Sequence, residues 1–258
     1  MTVDVITGLY HKHAPALREV RREQRRLYAV RGDTRLERFA VYRWWSAALG
    51  ALGLPAHYRR RLKPQLDDIE AEITYLLVRE LTRPTVVEIA PDRGWSTTWL
   101  LAALRDNAGG GHLYSYDIFD HSTRGVPRAL AAGRWTFVRG DVTRRLDRLP
   151  PKIDYLFLDC AHSAEFARWY IDELFPRLAP GTPVSVHDIF HHAEPTERFG
   201  EARVLGDWLV ERRVDYFTAA PAVARGAFDR LMAVRGELGI AEPIHRSQRN
   251  PMVFFRVP

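Results

Sequence analysis

Residues 86–97 have the sequence VVEIAPDRGWST, and this stretch decides the fold class. A short run typical of a buried strand, residues 86–89, is followed by a turn containing one glycine and then by a segment with helical character. Six more apolar runs follow it, at residues 113–118, 135–138, 155–158, 184–186, 215–218 and 252–257. The segments between the runs predict helices at about residues 96–106, 123–132, 141–148, 163–178, 199–213 and 221–238. The sequence therefore predicts an α/β fold with a mainly parallel sheet of seven strands over residues 84–258.

Residues 1–83 contain no strand-like alternation and predict three helices, interrupted near residues 31–33 and 50–55. The third covers residues 57–81, with an apolar stripe formed by Leu66, Ile69, Ile73 and Leu76. Helices of this size cannot form a sizeable core alone, so we expect a helical N-terminal extension that docks near the strand ends as a lid. A distant helical bundle and a dimer interface are the alternatives, and the chain is compatible with a homo-oligomer.

Composition narrows the class of protein. Of the 258 residues 46% are hydrophobic and 27% charged, which is typical of a globular protein. The single cysteine, Cys160, excludes an intrachain disulfide and any site with several cysteine ligands. The sequence predicts no membrane-spanning run and no signal peptide, so we expect a cytoplasmic protein without membrane association.

The net charge of +6 is compatible with a negatively charged partner such as a nucleic acid. Residues 1–83 hold 16 Lys and Arg against 10 Asp and Glu, so the excess lies in this third of the chain. Against a nucleic-acid partner, the arginines alternate with acidic residues, and no N-P-P-Y or D-P-P-Y segment of base-modifying enzymes occurs. We therefore treat nucleic-acid binding as an alternative.

Acidic residues follow the first three predicted strands: Glu88, Asp117 and Asp141. Ligands of parallel sheets bind beyond the carboxyl ends of the strands, where these side chains are expected. The first turn has only one glycine, Gly94, whereas a dinucleotide fold needs three for its pyrophosphate. A nucleoside ligand without a pyrophosphate fits better, and a carboxylate there can face an ammonium group of the ligand.

These motifs resemble those of the class I S-adenosylmethionine-dependent methyltransferases. Residues 88–97 are similar to the family pattern E-I-G-x-x-x-G-x-S-T, with Ala90 in place of the first glycine. The resemblance implies a Rossmann-like sheet that binds S-adenosylmethionine. It implies that Asp117, beside Ile118, binds the ribose hydroxyls and that Asp141 borders the adenine. The other cofactor-binding residues that it implies are Glu88, Ala90, Gly94, Ser96, Thr97 and Asp159.

Two later segments are similar to a subgroup of bacterial small-molecule and sugar O-methyltransferases. They are IDYLFLDCAHS at residues 153–163 and SVHDIF at residues 185–190. The resemblance implies that Asp159 and Asp188 converge on Mg²⁺, because hard cations take carboxylate ligands. The subgroup's third oxygen ligand, next to the second aspartate, is missing, since the neighbours of Asp188 are His187 and Ile189.

The same residues have a use that needs no metal. His187, His162 or Asp159 can accept the proton of a hydroxyl or amine as the methyl group is transferred. His191 and His192 extend the histidine cluster, but they lead into a loop-like segment, and a transition-metal site there would require a helix.

We expect a methyltransferase that uses S-adenosylmethionine to modify a hydroxyl or amine of a small molecule, with natural product biosynthesis as its setting. The resemblance leaves open alkyl transfer or cyclisation with the same cofactor. A nucleic-acid-binding protein and a catalytically silent module are the alternatives from other classes.

Overall fold

The computed structural model describes residues 1–31, 62–192, 200–244 and 248–258, and in these residues seven strands form one sheet. The strands are β1 (Thr85–Ile89), β2 (His112–Asp117), β3 (Trp135–Arg139), β4 (Tyr155–Leu158), β5 (Pro183–Val186), β6 (Tyr216–Thr218) and β7 (Val253–Arg256). Their order is β3-β2-β1-β4-β5-β7-β6, and β7 runs antiparallel to both of its neighbours. The predicted α/β fold with a seven-stranded, mainly parallel sheet is confirmed.

Helices cover both faces of this sheet. They are α1 (Val3–Lys12), α2 (Ala14–Arg31), α3 (Asp68–Arg79), α4 (Trp95–Asp106), α5 (Ser122–Gly125), α6 (Arg128–Ala131), α7 (Ala164–Trp169), α8 (Gly200–Glu211) and α9 (Arg225–Glu237). Among the helices of the described ranges, none has the length and apolar character needed to cross a membrane.

Side chains of successive strand residues point to opposite faces and build two separate cores. In β1, Val86 packs with the first apolar cluster, which includes residues of α1 to α4 and α9. Its neighbour Val87 packs with the second cluster, which includes residues of α7 and α8. The strands are therefore buried from both sides, and their carboxyl ends form one shared edge.

The N-terminal helices differ from the prediction at their ends. The first predicted helix is divided at His13, and Pro15 lies in the first turn of α2. The third begins at Asp68, where Asp67 caps it through a capping box with Glu70, and its predicted start near residue 57 lies outside the described residues. The second predicted helix, with Phe39, Tyr42, Trp45 and Leu49, lies outside the described residues.

Three later helices are also shorter than predicted. The helix expected over residues 123–132 is split by Pro127 into α5 and α6. Residues 141–148 form two 3₁₀ turns, Val142–Arg144 and Leu146–Arg148. The helix expected over residues 163–178 starts as α7 and continues as a π-helical turn, Tyr170–Leu174, and a 3₁₀ turn, Phe175–Arg177.

The described N-terminal helices pack against other helices on one side of the sheet. Helix α1 contacts α3 and α9, while α2 and α3 contact α4. A buried ionic network joins these helices: Arg21 of α2 and Arg235 of α9 both contact Asp68 and Glu72 of α3. Because each guanidinium is paired twice, the network fixes the position of α3 against the rest of the chain.

Candidate active site

Glu88 at the end of β1 is fully buried and holds the start of α4 against the sheet. Its carboxylate accepts hydrogen bonds from the hydroxyls of Ser96 (2.6 Å), Thr97 (2.8 Å) and Ser115 (2.5 Å). Burial raises the pKa of Glu88 to about 7 in spite of these hydrogen bonds. The side chains of Ser96 and Thr97 therefore bind Glu88 inside the protein, away from the cavity where a ligand is expected.

The turn between β1 and α4 is built from left-handed residues. Ala90 (φ 62°), Asp92 (φ 42°) and Gly94 (φ 88°) all have positive φ. A Cβ atom on Gly94 would lie 2.6 Å from the Cγ2 atom of Val126, so glycine is required there. Ala90 occupies a conformation that L side chains rarely adopt, and strain of this kind is often found at ligand-binding turns.

A cavity of about 480 Å³ lies beyond the carboxyl ends of β1 to β4. It is bordered by five of the nine predicted cofactor-binding residues: Ala90, Asp117, Ile118, Asp141 and Asp159. Gly94 shapes the turn beside it. The predicted ligand residues therefore separate into one set around the cavity and a second set, with Glu88, that supports the turn.

Asp117 is the most strongly oriented carboxylate of this cavity. Its Oδ2 atom accepts a hydrogen bond from the Asp92 backbone N–H (3.1 Å), and its Oδ1 atom accepts one from that of Phe119 (2.9 Å). Burial raises its pKa, while these two bonds oppose the increase. Each carboxylate oxygen keeps a second lone pair, which suits a pair of ribose hydroxyl donors.

The rest of the cavity suits an adenine base. Ile118 and Phe119 are each 54% exposed and form an apolar rim next to Asp117. Asp141, after the neighbouring strand β3, accepts hydrogen bonds from the backbone N–H (3.0 Å) and the hydroxyl (2.7 Å) of Thr143. Asp141 thus caps a 3₁₀ turn at the edge of the cavity.

Beyond Asp159 the site continues as a cluster of carboxylates and imidazoles. The Nδ1 atom of His187 lies 3.2 Å from both the Oδ1 atom of Asp159 and the Oδ1 atom of Asp188. The Nε2 atom of His191 lies 2.8 Å from the same Asp188 oxygen. Asp188 itself has φ 60°, so a strained backbone presents its carboxylate to these rings.

His162 joins this cluster from the loop after β4. Its Nδ1 atom lies 2.8 Å from the Oε2 atom of Glu201, a residue of α8 whose side chain is only 2% exposed. Its Nε2 atom lies 3.3 Å from Asp188 Oδ2 and 3.9 Å from Asp159 Oδ1. The structure thus brings together all three predicted catalytic residues and both predicted metal ligands.

The close charges shift the ionisation of these groups. Burial lowers the pKa of His187, but the charges of Asp159 and Glu70 raise it well above its usual value. Burial also lowers the pKa of His162, but the hydrogen bond and charge of Glu201 outweigh this effect and raise it. Burial raises the pKa of Asp188, yet the neighbouring histidines lower it to about 2. The raised pKa values favour the protonated imidazoles of His187 and His162, which can then donate hydrogen bonds to the neighbouring carboxylates.

Two buried carboxylates of the site were missed by the sequence reasoning. Glu70 comes from α3, and its Oε2 atom lies 3.4 Å from His187 Nε2. Glu201 comes from α8, and its side chain is 2% exposed. Neither residue follows a strand, so the search of strand ends did not find them. The one available signal was a charged residue near the apolar side of a predicted helix.

A second cavity, of about 500 Å³, opens on the other side of His187 and Asp188. Among the side chains that border it, Pro251 is apolar, and the others carry carboxylate, amide, imidazole or guanidinium groups: Gln65, Asp67, His187, Asp188, His191, Gln248 and Arg249. The pair formed by Asp159 and His187 therefore lies between a partly apolar cavity and a polar one.

Comparison with known proteins agrees with this geometry. Residues 87–189 match the model of a family described as a methyltransferase domain. Cofactor-bound Rv0187 from MTB is similar in structure, with a TM-score of 0.55, 16% identity, and coverage of 83% of this chain and 88% of that one. The O-methyltransferase from Bacillus cereus in complex with SAH has a TM-score of 0.51 and 13% identity, with all of both chains covered. Curated protein sequences give no match.

The fold is that of the class I S-adenosylmethionine-dependent methyltransferases, and residues 87–189 match a methyltransferase domain. The matched segment contains the turn after β1, Asp117, Asp159 and Asp188. The cavity fits the cofactor because the Asp117 carboxylate, held by two backbone N–H groups, lies beside an apolar rim. The same cavity extends to Asp159.

Proposed function

We propose that this protein transfers the methyl group of S-adenosylmethionine to a hydroxyl group of a small polar molecule. The observation that carries the proposal is the position of Asp159 and His187, whose carboxylate and imidazole lie between two cavities and 3.2 Å apart. One cavity has the features of a nucleoside site, and the other offers polar groups to an acceptor. A transferase needs this arrangement, because its two substrates must meet at one point.

In the first cavity, Asp117 would hold the ribose hydroxyls, with Ile118 and Phe119 against the base and Asp141 after the neighbouring strand. When bound, S-adenosylmethionine supplies an electrophilic methyl group. Ala90 and Asp159 border the end of the cavity nearest the histidines. These residues orient the ligand and exclude water from one side of it.

In the second cavity, the acceptor hydroxyl would lie against His187 and Asp188, next to the Asp159 carboxylate that His187 contacts. A proton leaving this hydroxyl is received by the Asp159–His187 pair, whose members act as one coupled acid–base unit. Asp188 balances the charge of the imidazoles. The Nε2 atom of His162 is turned towards both aspartates and completes this cluster.

We infer a small polar acceptor from the lining of the second cavity, where Gln65, Gln248 and Arg249 provide hydrogen bonds and charge. Gln65 and Asp67 of the N-terminal extension border this cavity, and we propose that this extension acts as its lid. Natural product biosynthesis in the cytoplasm remains the setting that we propose, on the subgroup resemblance of residues 153–163 and 185–190.

A turnover assay tests the proposal. Purified protein is incubated with S-adenosylmethionine carrying a labelled methyl group and with a panel of catechols, glycosides, amines and an RNA duplex, and products are identified by mass spectrometry. We expect a methylated hydroxyl compound, and its loss in Asp159→Ala. Methylation of the duplex alone, or a cyclised or alkylated product, would contradict the proposal.

A further inference from the structure

The oxygen ligands expected for Mg²⁺ are incomplete at this site. Asp159 and Asp188 lie close together, but the residues next to Asp188 are His187 and Ile189, which offer no third oxygen. Mg²⁺ favours an octahedral shell of oxygen atoms. The side chains present therefore supply two carboxylates but not the third oxygen ligand that the resemblance implies.

A nitrogen atom lies where the third ligand is needed. One ligand atom each from Asp159, His162 and Asp188 can be chosen so that all three lie within 4.8 Å of one another. The Nε2 atom of His162 is 3.3 Å from Asp188 Oδ2 and 3.9 Å from Asp159 Oδ1. Ligand atoms at about 2.1 Å from a common ion lie roughly 3 to 4 Å apart, so these distances need little adjustment.

The orientation of His162 supports the same role. Its Nδ1 atom contacts the buried Oε2 atom of Glu201 at 2.8 Å, which fixes the ring and directs Nε2 to the two aspartates. Histidine ligands of metal ions commonly have their second nitrogen bound to a carboxylate in this way. His187 Nδ1 lies 3.2 Å from one oxygen of each aspartate and holds the two carboxylates together.

We propose that Asp159, His162 and Asp188 bind a divalent transition-metal ion, of the class of Mn²⁺, Fe²⁺ or Co²⁺, in preference to Mg²⁺. A set of two carboxylates and one imidazole suits these ions, whereas Mg²⁺ binds imidazole poorly. Three protein ligands leave coordination positions for water and, if the proposed methyl transfer is correct, for the acceptor oxygen. Glu201 is then the positioning residue for the imidazole.

The test uses the full chain, stripped of metal with a chelator and loaded with Mn²⁺ alone. Pulsed electron paramagnetic resonance detects ¹⁴N coupling when an imidazole nitrogen is bound to Mn²⁺. We expect this coupling in the wild type and its loss in His162→Asp, which restores a third oxygen. Calorimetry should show that His162→Asp lowers the ratio of Mn²⁺ to Mg²⁺ affinity. His11→Gln, on an exposed position of α1, is the matched control and should change neither readout.

Glu201→Gln provides a second variant, for which we expect Mn²⁺ affinity to fall about 10- to 100-fold. Absence of ¹⁴N coupling in wild-type protein would overturn the proposal without recourse to any variant. Persistence of the coupling in a folded His162→Asp protein would also overturn it. These measurements need no acceptor and no turnover, so a failure of the proposed methyl transfer is distinguishable from a failure of the metal site.

Discussion

The Nε2 atom of His187, at the end of β5, lies 3.4 Å from the Oε2 atom of Glu70 in the first turns of α3. Both side chains are buried. The N-terminal third of the chain therefore provides part of the candidate active site. Glu70 also accepts hydrogen bonds from the backbone N–H groups of Asp67 (2.9 Å) and Met252 (2.6 Å), so it connects the helix, the histidine and β7.

We expect Glu70→Ala to destabilise the protein by several kcal/mol. The change leaves two buried backbone N–H groups without their carboxylate acceptor, and each such group costs about 1–3 kcal/mol. Denaturant unfolding monitored by circular dichroism measures the effect. Glu237→Ala, on an exposed position of α9, is the control and should lie within about 0.5 kcal/mol of wild type. Equal stability of the two variants would show that Glu70 does not make these contacts.

Asp117→Ala should weaken the binding of S-adenosylmethionine by about 1.5–3 kcal/mol, if two hydrogen bonds to a charged group are lost. Asp141→Ala should have a smaller effect, because the Asp141 carboxylate already caps its own turn through Thr143. Calorimetric titration of both variants gives the comparison. The assignment of the ribose to Asp117 fails if the order of the two effects is reversed.

Glu88 gives the folded protein a specific pH dependence. Its pKa is raised from 4.5 to about 7, so the folded state holds a proton that the unfolded state releases. This contribution to stability is fully present below pH 4.5 and is lost as the pH rises through about 7. Glu88→Gln should remove this pH dependence. The difference in unfolding free energy between the two proteins should therefore change by up to roughly 3 kcal/mol between pH 4.5 and pH 7. The measurement is the free energy of unfolding of both proteins at several pH values; parallel curves would refute the expectation.

Two substitutions in the turn after β1 should act in opposite directions. Gly94→Ala places a Cβ atom 2.6 Å from Val126 at a φ of 88°, so we expect a loss of stability. Ala90→Gly removes strain at a φ of 62°, and we expect it to stabilise the protein by about 1 kcal/mol or less. Thermal unfolding of the two variants distinguishes them. A stability loss from Ala90→Gly would show that the alanine methyl group makes a favourable contact.

The parts of the molecule that depend on the local pattern of apolar and polar residues could be predicted from the sequence. Buried strands separated by helical segments predicted the sheet, and strand ends located Asp117, Asp159, His187 and Asp188. The helix boundaries were less accurate, because caps and prolines such as Asp67 and Pro127 override apolar periodicity.

Partners from distant elements could not be predicted. The contact of Glu70 with His187 joins residues separated by more than a hundred positions, and it depends on how α3 docks beside β5. Glu88 illustrates the opposite difficulty. Its position at the end of β1 suggested a ligand contact, but three hydroxyl groups surround its carboxylate, and two of them come from the following helix.

The central claim is that the cavity beside Asp117 binds S-adenosylmethionine, and calorimetric titration of the wild-type protein with this cofactor tests it most directly. We predict saturable binding at one site per chain, weakened by Asp117→Ala and unaffected by the control Glu237→Ala. Absence of saturable binding to folded wild-type protein, or binding of equal strength to Asp117→Ala, would contradict the claim.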